Sequence, residues 1–171
     1  RNYSQNSYFN FQGIKLPKFI FESEKTNFMI EFKDFIFPHL FNDFATTNEG
    51  PYLYKDIQIK KGDVVIDAGA NFGLFSALAS SLGATVYAFE PVKIIREKYL
   101  EETAKLNENI NIISLALSNT IGNVLIKGGG IASASIVENL NKKESDLINE
   151  IVSTITLDDW VKQNNISKID F

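Results

Sequence analysis

Asp67, Gly69, Asn71, Gly73 and Glu90, the last twenty-one residues after Gly69, have the types and spacing of a ligand site. Gly69 falls where an apolar run gives way to a helical pattern. A glycine there lets backbone approach a ligand with no Cβ between them. Glu90 ends the next apolar run, and a carboxylate at that point can accept both hydroxyls of a ribose. Strand, glycine turn, helix, strand and acid together specify a nucleoside-containing cofactor; the plain alternative is a tight turn and a solvated glutamate. A dinucleotide site wants Gly-x-Gly-x-x-Gly, its second glycine open to the pyrophosphate. Here Asn71 holds that second position and Gly73 comes one residue early. The Asn71 side chain would crowd a pyrophosphate, and Asp67 would repel one. Asp67 suits a positive centre, such as an amino-acid ammonium. S-adenosylmethionine has a ribose, an ammonium and a cationic sulfonium but no phosphate, so the pattern favours it over NAD. Two alternatives share the fold: an NAD-dependent oxidoreductase, and a non-catalytic module.

These residues need a particular scaffold. Val64-Val65-Ile66 is a β-branched run without alternation, the mark of a strand buried on both faces. Leu74, Leu78 and Leu82 follow at helical spacing, and Gly83 suits the helix end. Thr85 to Phe89 reads as a second strand, and Pro91 opens a helix carrying Ile95, Tyr99, Thr103 and Leu106. Asn111 to Leu117 reads as a third strand. The order β-α-β-α-β with short loops predicts right-handed crossovers and an α/β, Rossmann-like doubly wound, mostly parallel sheet. Further on, Asn123 to Lys127 reads as a strand. Gly128-Gly129-Gly130 reads as a loop rather than a phosphate cradle, because no Lys-Ser/Thr follows at a helix start. Asn139 to Glu150 is a polar surface helix or loop, and Ile151 to Ile155 alternates as a strand. Thr156-Leu157-Asp158-Asp159 starts a short helix bearing Trp160. Lys168 to Phe171 opens another strand.

The remainder bounds the protein class. The 171 residues allow one domain with a real core, not two ordinary ones. At 44% hydrophobic and 22% charged, the chain is composed like a soluble globular protein. No apolar run approaches the roughly 18–20 residues of a membrane span. The net charge of −4 gives no pull toward nucleic acid or an anionic membrane. Without cysteine there is no disulfide framework and no thiolate ligand or nucleophile, which suits a reducing, cytoplasmic setting. His39 is the one histidine, so a two-imidazole metal site is excluded and no metal is expected. Ten of the 14 Phe residues precede Ala45. That shift separates a Phe-rich extension or cap, residues 1–50, from a body over residues 51–171. Within the extension, a hairpin across Glu24 to Asn27 and a helix ending before Pro38 are expected. Its phenylalanines either pack or cap a pocket. Glu49-Gly50-Pro51-Tyr52 is an ordinary turn or a flap over the cofactor.

Ile66 to Ser76 (Ile-Asp-Ala-Gly-Ala-Asn-Phe-Gly-Leu-Phe-Ser) and Val86 to Pro91 (Val-Tyr-Ala-Phe-Glu-Pro) resemble the FkbM family of class I S-adenosylmethionine-dependent methyltransferases. Ala116-Leu117-Ser118, the Ser133/Ser135 pair and Thr156 to Trp160 are similar in the expected order. The resemblance covers about residues 49–171. It implies a methyltransferase core and methyl transfer to a hydroxyl of a small-molecule or saccharide acceptor. It implies that Asp67, Gly69, Asn71 and Gly73, with Ala70 and Phe72 between them, line the methionine side. Glu90, followed by Pro91, would hold the ribose, and Leu117 and Ser118 would lie near the adenine. Many such enzymes have an acid near the adenine amino group; this chain has Ala116-Leu117-Ser118, so backbone groups or the Ser118 hydroxyl would serve. Family members continue beyond the equivalent of Phe171, on a fourth strand beside the first. With the first residue an arginine, the natural polypeptide is expected to be longer. His39 and Asp170 are candidate proton acceptors by type only, so no catalytic base is assigned.

Overall fold

The buried runs come together as a parallel sheet whose strand ends carry the candidate residues. A computed structural model describes residues 8–18, 52–53, 56–128, 135–136 and 148–171. The expected hairpin at Glu24 to Asn27, the helix before Pro38, and His39 lie outside the described residues. Strand β3 (Val64–Ala68) pairs in parallel with β4 (Thr85–Phe89), and β4 with β5 (Ile110–Ile113). Register sets Asp67 opposite Ala88 and Ala68 opposite Phe89. The residues after both strands therefore emerge at the same carboxyl edge.

Helix α1 (Leu74–Ser81) follows β3. It ends as its sequence requires. Gly83 takes φ +87° and donates to the Ser80 carbonyl at 2.9 Å, while Ala84 donates to Ala79 at 3.2 Å. These are the two bonds of a Schellman stop. Helix α2 runs through three consecutive segments: Lys93–Ile95, a π-helical turn Arg96–Leu100, and Glu101–Leu106. Sequence periodicity gave the helix but not the π turn.

Side chains alternate across the sheet. Val65, Val86 and Ala88 pack with Ala79 of α1 and Leu100 of α2. Phe89 turns the other way, to Trp160 on α3 (Leu157–Gln163), with Ile66 and Tyr87 packed around that cluster. Thr156 caps α3 by accepting the Asp159 N–H at 3.1 Å, as the Thr-x-x-Asp pattern predicts.

Two expectations change. Asn111 to Leu117 is not one strand. β5 stops at Ile113, and β6 (Ala116–Leu117) pairs in parallel with β9 (Ile148–Ile155) in a second sheet of order β6-β9-β7-β8. Ala116 is buried against Val92 and Ile95, a different cluster from Ile112. The apolar residues on both sides of Ser114 carry no sign of this crossing. Residues 148–150, expected to be surface helix or loop, belong to β9, paired antiparallel to β7 (Gly122–Gly128). Ile148 is buried, so the strand's covered face begins three residues before the point where alternation becomes legible. β8 (Ser135–Ile136) flanks β7.

An unforeseen hairpin, β1 (Tyr8–Phe11) and β2 (Ile14–Pro17), packs on α1 and α2. Gln12 and Gly13 both take positive φ, 54° and 97°, the two left-handed residues of a type I′ turn. Ile14 and Leu16 bury against Leu74, Ala77 and Leu78. Asn107 joins β2 to α2: its side chain accepts from the Lys15 N–H at 3.3 Å and donates to the Lys15 and Thr103 carbonyls, both at 2.8 Å.

Candidate cofactor site

The turn out of β3 is held by its neighbours. Gly69 and Ala70 N–H groups both donate to the Phe89 carbonyl at 2.9 Å. Gly69 takes φ +81° and Asn71 φ 53°, so two left-handed residues in three reverse the chain. Asn71 tolerates that conformation better than most side chains do. Its N–H donates to Glu90 Oε2 at 3.0 Å, and the Val92 N–H donates to Glu90 Oε1 at 2.9 Å. Glu90 thus ties the turn after β3 to the loop after β4. A carboxylate has about four acceptor positions, so both oxygens keep capacity for further donors. From α2, Thr103 Oγ1 donates to the Phe72 carbonyl at 2.6 Å.

A cavity of about 390 Å³ opens against this turn, lined by Ile66, Asp67, Ala68, Gly69, Ala70, Asn71, Phe72 and Leu74, with Tyr52, Phe75 and Phe171 opposite. The Tyr52 and Phe75 rings lie 5.0 Å apart, and Phe75 and Phe171 5.5 Å. Phe171 is fixed beside β3: its N–H donates to Val64 at 3.3 Å and its carbonyl accepts from Ile66 at 3.0 Å. Those two bonds are what a parallel neighbour of Val65 makes.

Asp67 is buried in the cavity lining. Ser76, on the first turn of α1, donates its hydroxyl to Asp67 Oδ2 at 2.6 Å. Burial nonetheless dominates and pushes the Asp67 carboxyl up to about 6, against the Ser76 hydrogen bonds that lower it. Burial likewise raises Glu90, opposed by the Val92 and Asn71 N–H groups and the Arg96 charge, while Asp67 adds repulsion. Among the candidate residues, the cavity gathers Asp67, Gly69, Ala70, Asn71 and Phe72. Glu90 joins it through Asn71. Gly73 faces elsewhere: a Cβ there would lie 2.8 Å from Leu100 Cδ1 and 3.0 Å from Thr103 Cγ2. Pro91 offers its carbonyl to Arg96 at 2.9 Å. Leu117 packs in the Trp160 cluster, and the Ser118 N–H donates to Ile155 at 3.0 Å; neither lines the cavity. Asp170 is bound by Lys168 and by the Val64 N–H at 3.1 Å, at the opposite end of β3 from Asp67. The Lys168 ammonium holds it below the usual carboxylate range. Tyr52, the last residue of the segment expected as a turn or a flap over the cofactor, lines the cavity, while Glu49 to Pro51 lie outside the described residues. Ser76, Phe75 and Phe171 were not assigned to the site from sequence. Ser76 had a signal, a hydroxyl one helical turn past the glycine turn; Phe75 and Phe171 had none.

The residues present fit a cofactor with a cationic amino-acid end. A buried carboxylate lines the cavity, and a Cβ built on Gly69 meets nothing within 4 Å, leaving space at the turn. The family model described as the methyltransferase FkbM domain matches residues 67–171, more than half of the chain. The chain belongs to the FkbM methyltransferase family. A 62-residue stretch is 37% identical to 31-O-demethyl-FK506 methyltransferase FkbM of Streptomyces tacrolimicus. That match covers 35% of this chain and 22% of the relative, so the chain spans about a fifth of the length of the relative it matches. No solved structure matches. Among the described residues, no helix is long and apolar enough to cross a membrane.

Proposed function

We propose that this FkbM-family chain uses S-adenosylmethionine to methylate a hydroxyl oxygen of a small molecule or saccharide, on a doubly wound core of which β3-β4-β5 is part. The observation that carries the reading is the buried Asp67 carboxylate in the cavity wall beside the Glu90-tied glycine turn. Asp67, braced by Ser76, binds the ammonium. The backbone from Gly69 to Phe72 shapes the amino-acid channel, and Glu90 accepts the ribose hydroxyls with its remaining lone pairs. On the adenine side the reading keeps Leu117 and Ser118, at the end of β6, with the Ser118 hydroxyl as the polar group. The cofactor, when bound, supplies a methyl carbon already activated by the sulfonium. The chain's task is then to align an acceptor oxygen in line with it and to keep competing water out, a task suited to the Tyr52, Phe75 and Phe171 rings. Asp170, held by Lys168 at the far end of β3, is unsuited to accept the acceptor's proton, and no base is assigned.

Calorimetry tests the reading. S-adenosylhomocysteine should bind in the micromolar range while NAD gives no heat. Glu90→Ala should weaken the former by about 1–3 kcal/mol, the cost of a lost charge-assisted bond. NAD binding, or unchanged affinity in Glu90→Ala, would remove the assignment.

A further inference from the structure

Glu90 can serve a ribose only if the loop that carries it is fixed, and Arg96 ties two successive carbonyls of that loop. Arg96, the first residue of the π-helical turn in α2, reaches back over the loop that precedes it. Its Nη1 donates to the Glu90 carbonyl at 3.1 Å and to the Pro91 carbonyl at 2.9 Å. π turns within α-helices recur at functional sites. Pro91 has no N–H to anchor its own peptide. With both carbonyls tied to one nitrogen, the two peptide planes cannot rotate independently. That orientation aims the Glu90 side chain across to the Asn71 N–H while Oε1 takes the Val92 N–H. The guanidinium also lies close enough to favour the ionised carboxylate, the form that accepts two hydroxyl protons.

We propose that Arg96 is a positioning residue for nucleoside recognition, holding the Glu90–Pro91 peptides so that the Glu90 carboxylate meets both the glycine turn and the ribose. This rests on the cofactor reading above. A purely structural arginine would shift the melting temperature and treat every ligand alike. A positioning arginine changes how well the site tells a ribose from a deoxyribose, because only the former presents both hydroxyls to Glu90. Both bonds come from a single nitrogen, so a lysine ammonium can restore them in part.

The experiment titrates wild type, Arg96→Gln and Arg96→Lys with S-adenosylhomocysteine and with its 2′-deoxyribosyl analogue. Wild type should prefer the ribosyl ligand. Arg96→Gln should lose about tenfold in affinity for it, the scale of one lost charged hydrogen bond, and most of the preference. Arg96→Lys should recover much of both. The proposal is overturned if Arg96→Gln keeps the wild-type preference, or if it weakens both ligands equally. Should Arg96→Gln fail to fold, a folded Arg96→Lys that weakens both ligands equally overturns it as well. Wild type that binds neither ligand removes the cofactor reading and this inference together. Wild type that prefers the ribosyl ligand beside an unaffected Arg96→Gln removes this inference alone.

Discussion

A carboxylate buried in a cavity wall makes stability depend on pH in a direction set by its own shift. Asp67 is raised from 3.8 to about 6, with burial the main cause. Between those values the unfolded chain has released the proton and the folded one still holds it. The contribution is therefore fully present below about pH 4 and is lost as pH rises through 6, by about 3 kcal/mol for a shift near two units. Asp67→Asn should abolish that part of the slope. Urea melts of the ligand-free protein at pH 4, 5, 6 and 7 should show wild type losing stability relative to the variant across the range; parallel curves would mean the carboxyl is not held protonated. Ligand binding runs the other way. An ammonium prefers the ionised carboxylate, so S-adenosylhomocysteine should bind more weakly as pH falls below 6, and in Asp67→Asn that dependence should flatten.

At the scale of the element, the β3–α1 turn uses its glycines for different ends. Gly73 takes φ +91° with Leu100 and Thr103 against it, whereas Gly69 takes φ +81° beside open space. Gly73→Ala should therefore cost about 2–4 kcal/mol, from overpacking and strain together. Gly69→Ala should cost only about 1 kcal/mol in stability, from its left-handed backbone, while its new methyl crowds the ligand. Melting curves and calorimetry read together should show the first variant deficient in folding and the second in binding; the reverse would mean the turn faces α2 at Gly69 instead. The turn was legible from sequence because its signals are local: Val64 to Ile66 without alternation, leucines every four residues, Gly83 at the stop. What fixes it was not. Glu90 to Asn71 and Thr103 to Phe72 are contacts between segments distant in sequence, Arg96 to Pro91 is a reach back from helix to loop, and no spacing rule records which partner a polar side chain finds. The β5–β6 break was hidden for a related reason. Ile112, Ile113, Leu115 and Leu117 are apolar whichever sheet they join, and only their neighbours differ.

Across the whole molecule, the central sheet separates two apolar layers, and the cavity draws its aromatic rings from one of them. Phe75 belongs with the α1 side, while Trp160 stands on the other, 4.9 Å from the Tyr87 ring and 5.0 Å from Phe89. Trp160 is 3% exposed and the largest side chain of its cluster. Removing it leaves a void that the flanking Ile155 and Leu157 cannot fill, so Trp160→Ala should lower stability by about 3–5 kcal/mol. The glycine turn, however, hangs on the Phe89 carbonyl, a backbone group, and Ile113 holds the peptide that follows through the Glu90 N–H at 3.0 Å. A side-chain void below Phe89 need not move that ladder. At a temperature where the variant stays folded, its affinity for S-adenosylhomocysteine should then lie within about threefold of wild type, the near-independence expected of well-separated sites. An affinity loss as large as that of Glu90→Ala would mean instead that packing on the far face sets the position of β4, and with it the acid at its end.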